Sequence, residues 1–192
     1  MLRNIGSVVT ATVILLLASV VGPLAWGQQQ TGTGGQQLVF LGIEGKLPAA
    51  WLAETPGSNM RLAQYRIPGA PEAQLVVFYF GPGQGGSVEA NAARWSSQFT
   101  DAQGKQVEPD IRQLRASAPK VTLVELHGNY ARGMGMGTDN SIQADHALMA
   151  AVVETPEGNA FIQLWGPEST VSDASKDYLD FLQNLKLSED SQ

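Results

Sequence analysis

Residues 74–99, QLVVFYFGPGQGGSVEANAARWSSQF, contain the clearest structural pattern in the chain. Residues 74–80 are apolar at nearly every position, which is typical of a central β-strand covered on both faces. A glycine-rich corner follows at residues 81–86, where glycine lets the chain adopt positive φ values. The stretch therefore predicts a buried strand that turns directly onto the next element.

That next element is predicted to be a helix over residues 87–99. Ser87 can cap it, and Glu89 lies in its first turn, near the positive end of the helix dipole. An apolar stripe recurs at helical spacing and predicts the face that packs on the sheet. The stripe consists of Val88, Ala92, Trp95 and Phe99.

The remaining elements are read from alternation, turn residues and helical periodicity. Strands are predicted at residues 38–45, 60–68, 120–134 (interrupted at Gly128), 146–154 and 160–165. The final segment, residues 170–187, is predicted to be a helix with Thr170 or Ser172 as its cap. Its buried face is predicted to comprise Ala174, Tyr178, Phe181, Leu182 and Leu185.

The predicted order is β-β-β-α-β-β-β-α, with hairpins in place of repeated βαβ units. This order predicts the α+β class: a mostly antiparallel sheet with helices packed on its faces. No internal repeat is visible in the sequence.

The N-terminus has the pattern of a secretory signal peptide. Arg3 precedes a long apolar stretch, and Ala25 and Gly27 supply small residues at the −3 and −1 positions, which predicts cleavage after Gly27. An uncleaved anchor is the alternative, because the apolar stretch approaches the roughly 20 residues that span a bilayer. The predicted organisation is a signal peptide (1–27), a flexible Gly/Gln linker (28–37), a single α/β domain (38–187) and a disordered tail (188–192). The protein is therefore expected to be periplasmic or secreted.

Composition excludes several classes of chemistry. The chain has no cysteine, which removes disulfides, a thiol nucleophile and cysteine-based zinc sites. The formal charge is −6, and cleavage of the segment that holds Arg3 makes it −7. Because Lys and Arg form no cluster, nucleic acid is not an expected partner. Stable membrane insertion is not expected if the signal peptide is cleaved.

Several features resemble a known fold group. The order of elements, the segment LPAAW at residues 47–51 and the closing helix DYLDFLQNLKL at residues 177–187 resemble the Mog1/PsbP-type α/β/α sandwich. Residues 78–99 are also similar to a string found in small uncharacterised exported bacterial proteins. The resemblance implies that residues 38–187 adopt this sandwich. It further implies a binding or assembly factor, as the photosystem II extrinsic subunit and a Ran-binding protein of this group are, with no catalytic motif.

The corner matches the spacing of a dinucleotide-binding turn, G-x-G-x-x-G, at Gly81, Gly83 and Gly86. Such a turn also needs a parallel βαβ unit and an acidic residue at the end of its second strand. Asp101 is the nearest acid, but it lies in a predicted loop. The sequence therefore predicts no nucleotide and no other cofactor.

The same corner is nevertheless the predicted ligand site. Backbone N–H groups at a helix N-terminus attract anions in any fold. The candidate residues are those of the corner and of the polar edge of the helix, and they favour a small anionic or peptide-like ligand, or an envelope protein. They are Gly83, Gln84, Gly85, Gly86, Ser87, Asn91, Arg94 and Gln98.

The alternative hypothesis is an extracytoplasmic copper carrier or a small hydrolase. It uses His146, Asp139 and the loop that holds Met134 and Met136, because thioether sulfur suits Cu(I). A hydrolase would use Ser87 as its nucleophile, but the second glycine of G-x-S-x-G is missing there. The observation that separates the hypotheses is whether the two histidines of the chain lie within about 5 Å of each other or of those methionines, the reach of one metal site.

The tryptophans are interpreted first as core residues. Trp95 lies on the apolar stripe of the predicted helix, while Trp165 alternates with apolar residues on its strand. Trp165 is therefore expected to be either a cap on the core or a partly exposed platform for binding.

Overall fold

The computed structural model describes residues 35–131 and 142–188. Over these residues the chain forms two helices and eleven strands. The helices are α1 (Val88–Ser96) and α2 (Glu168–Gln183). The strands are β1 (Gln36–Phe40), β2 (Ile43–Leu47), β3 (Leu52–Glu54), β4 (Arg61–Ile67), β5 (Ala70–Tyr79), β6 (Phe99–Thr100), β7 (Asp110–Arg115), β8 (Val121–Ala131), β9 (Ile142–Thr155), β10 (Gly158–Pro167) and β11 (Lys186–Leu187).

The strands build two antiparallel sheets. The larger sheet has the order β3-β4-β5-β10-β9-β8-β6, and β7 also pairs with β8. The smaller sheet has the order β1-β2-β11. The predicted α+β class, with a mostly antiparallel sheet, is confirmed.

Strand β5 lies inside the larger sheet, between β4 and β10. Three successive residues, Leu75, Val76 and Val77, are at most 1% exposed. Because successive side chains of a strand point to opposite faces, both faces of β5 must be covered. The prediction of a central strand at this position is confirmed.

Each face of the larger sheet carries one helix and its own hydrophobic core. On one face, α2 and the smaller sheet pack against β5, β9 and β10, with Tyr178, Phe181 and Leu182 fully buried. On the other face, α1 packs against β8, β9 and β10. That second core contains Ala92, Trp95, Phe99, Leu126, Leu148 and Phe161. Helices therefore lie on both faces, as predicted.

Helix α1 begins where the sequence predicts. Ser87 is its N-cap, and the Ser87 hydroxyl accepts a hydrogen bond from the Ala90 N–H at 3.2 Å. The helix ends at Ser96, three residues before the predicted end. Phe99 lies in β6 but still packs in the same core. The predicted stripe is thus correct although the last turn is shorter.

The predicted cap of α2 is wrong. The N-cap is Pro167, which makes no side-chain cap hydrogen bond, and Thr170 and Ser172 lie inside the helix. Pro167 has φ −52° and ψ 137°, so the chain enters α2 directly from extended backbone and without a capping side chain. At the other end, Lys186 lies in β11 and not in the helix. The predicted buried face is confirmed, with Leu185 at 1% exposure.

Three boundaries differ from those that the sequence predicts. Residues 38–45 belong to two strands, because the chain turns back at Leu41 and Gly42, where φ is 47° and 71°. Strand β1 begins at Gln36, inside the predicted linker. Ser188, the first residue of the predicted tail, is buried, and its N–H donates to the Gly42 carbonyl at 2.9 Å.

Four strands were not predicted, namely the short β3, β6 and β11 and the longer β7, whereas one irregularity of β8 was predicted. Strand β7 is mostly exposed, so it lacks the apolar alternation by which strands are recognised in a sequence. The predicted interruption at Gly128 is present, since the pairing of β8 with β9 shifts register between Gly128 and Tyr130. The predicted signal peptide, most of the predicted linker and residues 189–192 lie outside the described residues.

Within the described ranges, no helix is long and apolar enough to cross a membrane.

Candidate functional site

The glycine corner has the backbone conformation that the sequence predicts. Gly81, Gly83, Gly85 and Gly86 have φ values of 105°, 68°, 90° and 81°. These are positive values that side chains rarely allow. Gly85 is also tightly packed, since a β-carbon there would lie 2.4 Å from Phe161 Cε2. The corner therefore turns a buried strand onto α1 while its backbone packs on an aromatic ring.

Asn91 fastens the corner to the helix. Its side-chain Nδ2 donates to the Gly85 carbonyl at 2.6 Å and to the Ser87 carbonyl at 2.9 Å, and the residue is 2% exposed. Arg94 Nη2 donates to Asn91 Oδ1 at 2.6 Å. The Asn91 side chain is therefore engaged in hydrogen bonds within the protein. Arg94 is exposed, and one of its guanidinium nitrogens is hydrogen-bonded to Asn91.

Two N–H groups of the first helical turn, those of Glu89 and Ala90, already have acceptors within the chain. The Ala90 N–H donates to Ser87 Oγ. The pKa of the Glu89 carboxyl is lowered by a hydrogen bond from its own backbone N–H and by one from the Ser87 side chain. A carboxylate of the protein thus sits where the helix dipole favours negative charge.

A shallow depression lies beside the corner. It is about 330 Å³ in volume and is lined by Phe80, Gln84, Gly85 and Arg94. The structure thus brings three of the predicted site residues together. Gly83, Gly86 and Ser87 are exposed next to it. Gln98 lies just beyond the C-terminal end of α1 and does not line this depression.

Gln98 belongs instead to a more enclosed cavity at the C-terminal end of α1. This cavity has a volume of about 150 Å³ and lies on the face of the sheet that α1 covers. Five aromatic side chains are among the eleven described residues that line it: Phe78, Trp95, Phe99, Tyr130 and Trp165. We call this space the aromatic cavity.

Contacts between rings hold the wall of the aromatic cavity in place. Tyr130 contacts three of its neighbours: the ring centroids lie 5.1 Å from Phe99, 6.1 Å from Trp165 and 6.3 Å from His146. Trp95 meets Phe161 edge to face at 6.5 Å. Such separations are favourable for aromatic pairs. The wall is therefore a packed set of rings.

Four polar side chains also line the aromatic cavity: Arg61, Gln98, His146 and Gln163. The Arg61 guanidinium lies 5.5 Å from the centre of the Phe78 ring, and its Nη1 donates to Gln64 Oε1 at 2.7 Å. His146 Nδ1 lies 2.8 Å from the Ala144 carbonyl oxygen. Because a carbonyl can only accept, Nδ1 carries the proton and Nε2 remains for other partners.

The Trp95 indole has an unusual environment. Trp95 is 2% exposed, and its Nε1 is closed to solvent with no hydrogen-bond partner among the described residues. A buried N–H that lacks an acceptor costs about 1–3 kcal/mol. The Arg94 guanidinium lies 5.7 Å from the centre of the indole ring. Trp95 thereby links the aromatic cavity to the side of α1 where the depression lies.

The two histidines do not meet. His127 pairs with Ala147 in the β8–β9 register and His146 with Gly128, so their side chains point to opposite faces of the sheet. His127 Nδ1 lies 3.2 Å from a carboxylate oxygen of Glu168 in α2, while His146 stacks on Tyr130 on the other face. The structure therefore provides no metal site that contains both.

The other residues of the alternative hypothesis give no support to it. Met134, Met136 and Asp139 lie outside the described residues. Within residues 35–131 and 142–188, no group of three His, Cys, Asp or Glu side chains could hold a metal ion. Ser87 caps the N-terminus of α1, and His146 lines the cavity at its opposite end. These two residues therefore form no nucleophile–base pair.

Sequence reasoning missed most of the aromatic cavity. It identified Gln98 and named Trp165 as a possible platform, and Trp165 does line the cavity, half-buried. Arg61, Phe78 and Gln163 carry no local signal, since they meet only through the pairing of β4 with β5 and of β5 with β10. Knowledge of the strand order would have been needed to find them.

The layers described above, a sheet with one helix on each face, are those of an α/β/α sandwich. The chain is similar to the solution structure of cyanobacterial PsbP (CyanoP) from Synechocystis sp. PCC 6803, with a TM-score of 0.54 and 13% identity over 87% of this chain and 100% of that chain. It is also similar to a crystal structure of a protein from Bacteroides thetaiotaomicron, with a TM-score of 0.50 and 7% identity over 83% of this chain and 50% of that chain. The predicted Mog1/PsbP-like fold is confirmed.

A third similar structure is the Ran-binding protein Mog1p of Saccharomyces cerevisiae, with a TM-score of 0.46 and 10% identity over 82% of this chain and 97% of that chain. No family model matches the chain, and no curated protein matches it. At sequence identities this low, structural similarity establishes the fold alone, and the function has to be argued from the site.

Proposed function

We propose that this chain is a non-enzymatic binding or assembly domain that acts outside the cytoplasm, in the bacterial cell envelope. The proposal for its location rests on the N-terminal sequence, in which Ala25 and Gly27 end an apolar stretch before a Gly/Gln linker. The PsbP-like fold is compatible with such a domain.

The observation that carries the binding role is the composition of the aromatic cavity. Concave, mostly apolar sites with a few polar groups are the usual form of ligand sites in proteins. Catalysis by acid–base or nucleophilic chemistry needs at least two groups in mutual reach. Among the described residues that line this cavity there is no carboxylate, and His146 stacks on the Tyr130 ring. This lining supports binding of a ligand more than its chemical conversion.

The depression beside the corner is the proposed place for a larger partner, either an envelope protein or a peptide-like or anionic ligand. Gly83, Gly86 and Ser87 are exposed around it, with Gln84 and Arg94 on its surface. Arg94 offers a cation that no carboxylate of the described residues neutralises within 4 Å. A partner could therefore use Arg94 and reach toward the aromatic cavity along Trp95.

Export is tested by expressing the full chain in a bacterium and fractionating the cells. We expect the protein in the periplasm or medium, with an intact mass that begins at Gln28. The variant Leu16→Arg interrupts the apolar stretch and should keep the chain uncleaved in the cytoplasm. Wild-type protein that retains residues 1–27 in the membrane fraction would show the anchor instead.

Binding is tested by capture from an envelope extract of the organism that encodes the protein. The wild-type domain should retain a partner, the Arg94→Ala variant should lose it, and Lys105→Ala should retain it. Lys105 is a matched control because it removes one positive charge from an exposed residue that does not line the depression. Capture by none of the three proteins would contradict the assembly role.

A further inference from the structure

The aromatic cavity has a chemistry that selects its ligand. Given the binding role proposed above, on which this inference rests, we propose that the cavity binds a small organic anion: a carboxylate joined to a flat apolar body. Three features carry the proposal, namely the charge of the lining, the shape and size of the wall, and the hydrogen-bond donors that it presents.

The charge of the lining favours an anion. Among the described residues that line the wall, Arg61 is the one permanently charged side chain and none is acidic. None of the described carboxylates lies within 4 Å of the Arg61 guanidinium, whereas Arg66 and Arg112 are each paired with a glutamate. A cationic ligand would meet repulsion there, and an anion would meet attraction.

The wall favours a flat apolar body of limited size. Aromatic side chains offer ring faces and edges to a ligand ring at the same separations that they keep between themselves. The volume of about 150 Å³ lies below the roughly 300–1,000 Å³ of sites for drug-sized molecules. The ligand is therefore a single ring or short aliphatic group with its charged end, or the end of a longer chain.

The donors of the lining are positioned for a carboxylate. Arg61 donates to Gln64, and Gln64 Nε2 in turn donates to Glu54 Oε2 at 3.0 Å, which fixes the orientation of the guanidinium. The other guanidinium nitrogens have no hydrogen-bond partner among the described residues. A carboxylate accepts two such bonds side by side.

The test uses three probes that share one benzyl body: phenylacetate, its neutral isostere phenylacetamide, and the cation benzylamine. Each is titrated into the purified exported chain, followed by calorimetry and by the NMR signals of the tryptophan indole N–H groups. We expect phenylacetate to bind with a millimolar or tighter Kd and to shift the Trp95 and Trp165 signals. Phenylacetamide should bind at least tenfold more weakly, and benzylamine should not bind.

The variant Arg61→Gln tests whether the Arg61 charge is responsible for the preference for an anion. It should reduce the affinity for phenylacetate at least tenfold, to the level of phenylacetamide, while the affinity for phenylacetamide stays the same. Lys105→Gln removes the same charge from an exposed turn and should leave both affinities unchanged. If Arg61→Gln fails to fold, the comparison of acid, amide and amine on the wild type decides the question without it.

Two results would overturn the inference: equal affinities for the acid and the amide, or no binding of any probe. Either result leaves the proposed function in place as long as the Arg94-dependent capture of a partner is observed. Loss of that capture together with all probe binding would overturn both. The probe titration therefore tests the anion-binding cavity, and the capture experiment tests the proposed function.

Discussion

Gly85 is the residue at which the corner can least accept a side chain. Its φ is 90°, and a β-carbon would lie 2.4 Å and 2.6 Å from two ring carbons of Phe161. Gly83 also has a positive φ, 68°, but a β-carbon there would meet no atom within 4 Å. A side chain at either position would therefore strain the backbone, but only at Gly85 would it also collide with a neighbouring ring.

We expect Gly83→Ala to lower the free energy of unfolding by about 1–2 kcal/mol, the cost of an L-residue in the left-handed region. Gly85→Ala should lower it by a further 1–3 kcal/mol or so, because the ring of Phe161 must move. Chemical denaturation of both variants measures the difference. Equal losses would show that the close contact of Gly85 with Phe161 does not determine the corner.

Tyr178 makes the fold sensitive to alkali. It is fully buried in α2 and donates to the Ile162 carbonyl at 2.7 Å, and burial raises the pKa of its hydroxyl well above 10. A group whose pKa is raised on folding stabilises the native state below the pKa of the unfolded chain, near 10. That stability is lost as the pH rises from there through the folded pKa.

The Tyr178→Phe variant should therefore lose less stability than the wild type between neutral pH and pH values above about 10. At neutral pH it should lose about 1 kcal/mol, because one buried hydrogen bond is removed. Tyr79→Phe is the matched control, since the Tyr79 hydroxyl donates to the Glu157 carbonyl at the surface. Parallel stability curves for the wild type and Tyr178→Phe across this range would contradict the prediction. Unfolding in denaturant at each pH is the measurement.

At the scale of elements, helix α1 depends on its cap because it is short. It has nine residues, and isolated helices of that length are not stable in water. The Ser87 hydroxyl accepts from the Ala90 N–H at the start of the helix, while Ser97 Oγ donates to the Arg94 carbonyl at the end. The sequence identified the first of these roles because a capping serine acts on residues that follow it directly.

We expect Ser87→Ala to lower the free energy of unfolding by about 1 kcal/mol, the usual cost of losing an N-cap. Hydrogen exchange of the Ala90 amide should become faster, because its acceptor is removed. Ser97→Ala should cost less, since a solvent molecule can replace its hydroxyl at an exposed carbonyl. A larger loss for Ser97→Ala than for Ser87→Ala would show that the C-terminal end of α1 is the one that limits its stability.

Elements whose pattern is local could be predicted from the sequence, and the others could not. The strand–corner–helix unit of residues 74–99 was predicted because burial on both faces, glycine and a capping serine all follow one another in the chain. Strand β7 was missed because its side chains are mostly exposed. The cap of α2 was misassigned because Pro167, a strand residue, also begins the helix. Where a strand and a helix share a residue, the sequence contains no loop residues that mark where one ends and the other begins.

At the level of the whole molecule, one candidate site has a local sequence pattern and could be predicted, and the other has none. Gln84, Gly85 and Arg94 were predicted together because they flank one corner, and they do share one depression. The aromatic cavity was not predicted, because Arg61 meets Phe78 only through strand pairing and His146 reaches them across β10. The residues that line the cavity come from segments far apart in the sequence, and for that reason the cavity could not be predicted.

The two hydrophobic cores share one sheet, which predicts that they unfold together. Successive residues of β9 alternate between the cores, so that Met149 and Ala151 contribute to the one with α2 while Leu148 and Ala150 contribute to the one with α1. A strand that loses its cover on one face also loses its support for the other face. The described domain should therefore unfold in a single cooperative transition.

Leu182→Ala on the α2 face and Leu126→Ala on the α1 face test this coupling. Both side chains are at most 1% exposed, so each variant should lose about 2–5 kcal/mol. The NMR signals of the Trp51 and Trp95 indoles report on the α2 and α1 cores respectively. In either variant, both signals and the far-ultraviolet circular dichroism should change at the same denaturant concentration. If Leu126→Ala released Trp95 while Trp51 stayed native, the α1 core would be a separate unit, and a ligand in the aromatic cavity would then stabilise that face alone.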